Sequence, residues 1–334
     1  MKQTIKNIAS LLVTCTLLAA SCGCAVKSEP EPPEKDLIVV GFSQLGSESD
    51  WRIANTQSML DALSEENGFD LLFDNAKQKQ ENQFLAIRNF IQQGVDYIVL
   101  APIAETGWDS VLQEAKDAGL PVIIVDRQIQ VEDESLYVSW VGSDFLKEGR
   151  TAVQWLENEI SLKRMQNENI RILHIQGTDG ATAQILRTHA LNSAVASHPL
   201  WSIAARLQGE FTEACGYEVV RDFLETGESF NVIYSENDNM TFGAMQALDE
   251  AGLTYGPDGD IIIITFDAVH AALEECLAGN INLCVECNPM HGPRVANLIR
   301  QLEAGETPEK LVYVDETWFS YRRISETDLS ERPY

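Results

Sequence analysis

The sequence predicts an α/β protein with parallel sheets, on two observations: short apolar or β-branched runs recur along the chain, and the stretches between them carry helical spacing. The runs are Leu37 to Phe42, Phe69 to Phe73, Tyr97 to Ala101, Val122 to Val125, Ile170 to Ile175, Asn231 to Tyr234 and Ile261 to Phe266. Between the second and third, Phe84, Ile87 and Ile91 repeat at i, i+3 and i+7, one face of a helix. Strand, helix and strand in repetition means parallel strands joined by crossovers, with helices covering both sheet faces. A chain of 334 residues, 45% hydrophobic, can bury a large core and divides into about two domains. No long linker interrupts its middle.

The N-terminus has a different character. Lys2 and Lys6 precede an apolar run from Ile8 to Ala20, which ends in Ser21 and Cys22. The pattern is that of a secretory signal peptide over residues 1–21. The run is shorter than the ~20 apolar residues that span a bilayer. Leu18-Ala19-Ala20-Ser21-Cys22 resembles a bacterial lipobox, so cleavage before Cys22 and acylation of its thiol are expected, with Ala19 where Leu is commoner. Lys27-Ser28-Glu29-Pro30-Glu31-Pro32-Pro33-Glu34-Lys35 cannot pack, and makes 22–36 a lipidated tether.

Charge narrows the function. Fifty-one acidic against 24 basic residues give a formal charge of −27, so neither nucleic acid nor an anionic membrane surface is expected as a direct partner. Of seven cysteines, Cys24, Cys215, Cys276, Cys284 and Cys287 remain after the N-terminal two are assigned, and their pairing is open. Cys284 and Cys287 have only His291 near them and no second CxxC, and successive residues of a strand over Ile281–Glu286 face opposite ways, so no metal is expected.

In open parallel sheets the ligand lies beyond the carboxyl ends of the strands. The residues there are unusually polar: Ser43 to Arg52 after the first run, Asp74-Asn75, Pro102, Asp126-Arg127, Gly177-Thr178, Asn237-Asp238, Asp267 and Glu286 after later ones. Each alone could be a cap or turn residue. Together, carboxylates, amides and guanidinium groups beside a tryptophan suit a polyhydroxylated ligand, whose hydroxyls donate and accept while its C–H face packs on an aromatic plane. Asp126 and Arg127 pair an acceptor with a fixed fork of donors. Arg187 falls on the helix past Gly177, and Trp51 and Arg52 open the first helix. Of Asn237 and Asp238 one caps the following helix, and Asp238 is assigned that role. Trp108 is expected to pack its own helix.

Gly41-Phe-Ser-Gln-Leu-Gly-Ser-Glu-Ser-Asp-Trp-Arg52, Lys77-Gln-Lys-Gln-Glu-Asn-Gln83, Ala101-Pro-Ile-Ala-Glu-Thr-Gly-Trp108 and Asp126-Arg127 resemble the galactofuranose-binding proteins of ABC importers, from about residue 37 to 315. The wider ribose-binding group uses Asp126-Arg127, Arg187, Asn237 and Asp267 as sugar contacts, and has a polar contact where Glu286 falls. Two departures stand out: Ala268 follows Asp267 where the family has Gly, and Arg187-Thr188-His189-Ala190 lacks the family's following glycine.

The resemblance implies two doubly wound parallel-sheet lobes of the periplasmic-binding-protein type I fold, with crossovers near 142, 286 and 314. The first lobe would comprise 37–142 with 287–314, and the second 143–286 with 315–334. A monosaccharide, galactofuranose first, would sit between them and be delivered by hinge closure to a membrane permease. Arg52, Arg127 and Arg187 would donate, Asp126, Asp267 and Glu48 or Glu286 accept, and Trp51 cover the C–H face. No cofactor is implied, the monomer is the default, and contact with membrane is through lipid only. Three rivals remain: a sugar sensor presenting ligand to a receptor kinase or chemoreceptor, a glycoside hydrolase, and a transcription regulator. The regulator is opposed by the export signal and the lack of a DNA-binding headpiece. The hydrolase is opposed by the arginines, which are expected to keep the cleft carboxylates ionised.

Overall fold

The computed structural model describes residues 37–332 and 334, so the signal peptide, the tether, Cys22 and Cys24 lie outside the described residues. The chain alternates strands and helices as the sequence predicts. The first half runs β1 (Ile38–Gln44), α1 (Asp50–Ala62), β2 (Phe69–Asn75), α2 (Gln80–Gln93), β3 (Tyr97–Leu100), α3 (Asp109–Asp117), β4 (Val122–Val125) and β5 (Ser139–Gly142). The second runs α4 (Phe145–Leu162), β6 (Ile170–Gln176), α5 (Thr182–Ser197), β7 (Trp201–Gln208), α6 (Glu213–Leu224), β8 (Val232–Ser235), α7 (Asp238–Ala251), β9 (Ile262–Asp267), α8 (His270–Ala278) and β10 (Leu283–Glu286). The remainder contributes α9 (Gly292–Glu303), β11 (Leu311–Tyr313), β12 (Trp318–Ser320) and α10 (Glu326–Ser330).

Two six-stranded sheets result, in the orders β2-β1-β3-β4-β5-β11 and β7-β6-β8-β9-β10-β12. Every pairing is parallel except β10 with β12. The chain passes between the sheets three times: after Gly142, after Glu286 and after Tyr313. Helices cover both faces of each sheet, so the central strands are buried on both sides and read as continuous apolar runs. In the first sheet Val40, Phe42 and Val99 pack with Met59 of α1 and Ile299 of α9, while Ile98, Leu100 and Ile124 pack with Ile87, Trp108 and Leu112. The second repeats this, with Leu173, Ile233 and Ile263 against α6 and α7, and Ile172, Val232 and Ile264 against α4 and α5. Each fully buried aliphatic side chain contributes about 1.5–3 kcal/mol.

This layering sets where a ligand can go. The strand order reverses beside β1 in one sheet and beside β6 in the other, which leaves a crevice at their carboxyl ends. Two side-chain contacts close the mouth between the lobes: Gln128 N donates to Thr182 Oγ1 at 2.8 Å, and Asp50 and Asn239 exchange two hydrogen bonds of 3.1 Å.

Candidate functional site: the interlobe cavity

Between the lobes lies a narrow cavity of about 30 Å³. Glu48, Trp51, Arg52, Asp126, Arg127, Arg187, Asn237 and Asp267 all line it, with Ser49, Phe145, Ala183, Phe211 and Cys287. The ionisable lining is balanced, three acids (Glu48, Asp126, Asp267) against three arginines (Arg52, Arg127, Arg187), which suits a neutral ligand.

The first lobe supplies a chain of ion pairs. Ser49 caps α1 by accepting from Arg52 N, which places Trp51 and Arg52 in the first turn, facing inward. Arg52 Nε donates to Glu48 Oε1 at 3.0 Å, and its Nη2 lies 2.7 Å from Asp126 Oδ2. Glu48 Oε2 accepts from Gln78 of the second resemblance motif at 2.8 Å. Arg127 gives Nη1 to the carbonyl of Ile103 at 2.7 Å, and its guanidinium carbon lies 5.5 Å from the Phe211 ring centroid. All four charged groups are at least nine-tenths buried. Burial by itself would push Asp126 up and pull Arg52 down, but their mutual attraction reverses both: Asp126 falls below the usual carboxylate range and Arg52 rises. Arg52 Nη1 is buried without a protein partner, a donor left for a ligand.

Trp51 serves two ends. Its Nε1 donates to the carbonyl of Cys287 at 2.6 Å, anchoring α1 to the second crossover, while its ring lines the cavity. Trp108 packs its own helix, fully buried, with Nε1 on the carbonyl of Ala104.

The second lobe is arranged differently. Arg187 is buried in the second turn of α5, held by Glu148 Oε2 through Nε (2.8 Å) and Nη2 (2.7 Å) and by the carbonyl of Glu236. Its guanidinium lies 4.7 Å from the centroid of Phe266 and 3.6 Å from Asp267 Oδ1. Burial raises Asp267 well above the ordinary value; Arg187 opposes the shift, and Asp238 and Glu148 add to it. Burial likewise raises Glu148. Attraction to the arginines thus outweighs burial at Asp126, whereas burial outweighs it at Asp267.

Two assignments need correction. Asn237, not Asp238, caps α7: its Oδ1 accepts from Met240 N and its Nδ2 donates to the carbonyl of Phe211. Asp238 is the first helical residue and accepts from Thr265 Oγ1 and Val269 N, bonds to β9 and its following loop that local sequence does not announce. Glu286 is absent from the cavity wall. Its carboxylate accepts from Arg332 Nε, Tyr334 OH and Thr317 N, because the C-terminal tail folds back over the end of β10.

Phe145, Phe211 and Cys287 were missed by the sequence reading. Phe211 had a usable signal: it follows strand β7, and Gly177 makes room for it, since a Cβ on Gly177 would lie 1.9 Å from its ring. Asp126 (φ 64°), Phe211 (60°), Asp267 (104°) and Ala268 (59°) are left-handed without being glycine. Strain of this kind gathers at binding sites. Ala268, fully buried, is held in a conformation that glycine adopts freely and alanine only at a cost.

Residues 40–306 match the periplasmic binding protein domain family. The chain belongs to that family. It is 38% identical to the galactofuranose-binding protein YtfQ of Escherichia coli over 84% of this chain and 87% of that one. The periplasmic component of the arabinose ABC transporter from Shewanella sp. ANA-3, solved with α- and β-L-arabinofuranose, is 41% identical, with a TM-score of 0.81 over 88% of this chain and 95% of that one. A Mycobacterium smegmatis structure holding β-D-fucofuranose is 37% identical, with a TM-score of 0.82 over 88% and 97%. As a family member the chain has the expected two lobes of six strands each. Among the described residues no helix is long and apolar enough to cross a membrane.

Proposed function

We propose that this chain is an extracytoplasmic receptor that captures a monosaccharide in its furanose form, galactofuranose first, and delivers it to the permease of an ABC importer. The observation that carries it is the wall of three acids and three arginines, faced by Trp51, Phe145 and Phe211. Its relatives support the ligand class, since they bind galactofuranose, arabinofuranose and fucofuranose. In this reading Arg52, Arg127 and Arg187 donate to hydroxyls and ring oxygen, Glu48, Asp126 and Asp267 accept, Asn237 offers its remaining amide hydrogen, and the aromatic rings cover C–H surface. Charge-assisted hydrogen bonds contribute about 1.5–3 kcal/mol each. The protein performs no covalent chemistry and works as a monomer, exported by residues 1–21 and held at the membrane by lipid on Cys22. Loss of lipid labelling in Cys22→Ala tests the anchor.

The test of binding is titration with galactose, arabinose, ribose and glucose and with their furanose-locked methyl glycosides, followed by calorimetry and tryptophan fluorescence. Free galactose in water is mostly pyranose, so a furanose site shows an affinity reduced by the competent fraction. Micromolar or tighter binding of a locked galactofuranoside, lost in Arg127→Ala, is expected. A panel in which no sugar releases heat or changes fluorescence sinks the furanose reading and leaves the fold intact.

A further inference from the structure

Behind the sugar cavity, where the three crossovers meet, lies a second concavity of about 500 Å³. Five carboxylates line it, those of Asp144, Glu148, Glu286, Asp315 and Glu316, against the single cation Lys147. At its inner end Glu148, Cys287 and Glu316 each bring one metal-ligating atom within 4.8 Å of the others. Ser143 of the first crossover donates to Glu316 Oε1, and so does the backbone of Asn288 in the second, at 2.9 Å. Cys287 Sγ lies 3.3 Å from Ser143 Oγ. Glu148 gives Oε2 to Arg187, which leaves Oε1 to face the cluster; that oxygen is buried and has no hydrogen-bond partner.

The sugar reading uses Glu148 only to hold Arg187 and Cys287 only as cavity wall, and leaves Glu316 without a role. Three groups able to carry negative charge, Glu148 and Cys287 buried and Glu316 partly so, share one arginine, and a buried oxygen without a partner is a cost that native structures rarely leave uncompensated. One thiolate with two carboxylates suits a thiophilic divalent cation such as zinc, which takes three protein ligands and keeps a fourth position. The supporting bonds are those a metal site needs: Ser143 and Asn288 orient Glu316, and Arg187 orients Glu148. The acidic concavity supplies an entry path and concentrates cations along it.

We propose that Glu148, Cys287 and Glu316 form a binding site for one thiophilic divalent cation at the hinge. The three ligands stand on α4, the second crossover and the third, so a bound cation would tie these three segments together.

The experiment is calorimetry of the purified full chain with Zn²⁺, and ultraviolet titration with Cd²⁺, whose thiolate charge-transfer band reports sulfur ligation. A Cys15→Ser, Cys22→Ser and Cys24→Ser background removes the N-terminal thiols. About one equivalent is expected, weakened about tenfold or more in Cys287→Ser and in Glu316→Gln, and unchanged in Cys215→Ser. Glu316→Gln keeps the oxygen that accepts from Ser143 and Asn288 and does not line the sugar cavity, so with chelator present it should bind sugar as the parent does. No cation binding, or binding indifferent to both substitutions, overturns the proposal. Sugar titration in chelator is read separately, so a failed metal site and a failed sugar site are distinguishable.

Discussion

Thr182→Val tests whether the closing contacts set affinity. Thr182 Oγ1 accepts from Gln128 N across the mouth at 2.8 Å, and among the described residues the Asp50–Asn239 pair is the other side-chain latch there. Valine keeps the shape and removes the acceptor, and Thr182 does not line the sugar cavity. A neutral hydrogen bond is worth about 0.5–1.5 kcal/mol net, and leaving the Gln128 N–H unpaired in the closed state moves the loss toward the upper figure. At about 1.4 kcal/mol per tenfold, sugar affinity should fall about five- to tenfold. Because the bond forms after encounter, the change should appear in the dissociation rate while the association rate stays near the parent's. Stopped-flow tryptophan fluorescence with a locked furanoside measures both rates. Affinity within about twofold of the parent, or a loss confined to association, refutes the claim that closure depends on this latch.

Other expectations follow from the same geometry. Burial pushes Asp238 up to about 7, with Thr265 and Val269 opposing, so the folded state holds a proton that the unfolded chain releases near pH 4. Its contribution is fully present below that pH and is lost as pH rises through about 7, up to about 4 kcal/mol in all. His291 acts the other way: burial lowers it to about 4, so stability is gained as pH rises from there to the ordinary histidine value. Comparing denaturant melts of Asp238→Asn with the parent from about pH 5 to 8 isolates the first effect; the parent should lose ground as pH rises, and a constant gap means Asp238 does not titrate there. Gly177→Ala places a methyl 1.9 Å from the Phe211 ring, so it should destabilise by about 1–3 kcal/mol and weaken sugar binding together. Unchanged affinity in that variant would show that Phe211 is not a wall the ligand touches.

The strands were legible because those buried on both faces are continuous apolar runs, and the site because ligands gather where such runs end. All seven predicted runs lie within about one or two residues of their strands. What escaped was non-local. β7 is an edge strand with only Trp201 fully buried, so its pattern is diluted, and β11 and β12 are three residues each. Asn237 and Asp238 are equally good caps by type, and Thr265, some 27 positions on, decides between them. Glu286 was drawn away from the cavity by Arg332 and Tyr334, residues at the far end of the chain that no local spacing connects to it.

Asp126 and Asp267 stand at the carboxyl end of the fourth strand of their respective sheets, both left-handed, both buried, each facing an arginine. The five-strand orders β2-β1-β3-β4-β5 and β7-β6-β8-β9-β10 are the same arrangement met twice. The two halves share one plan, each carrying one device at one place. A sugar has no matching two-fold symmetry, so the halves must differ where they touch it. Arg187 on α5 answers Arg52 on α1, but Ala183 stands at the place of Trp51 and Glu48 has no cavity-lining counterpart before α5, and there that divergence can be read.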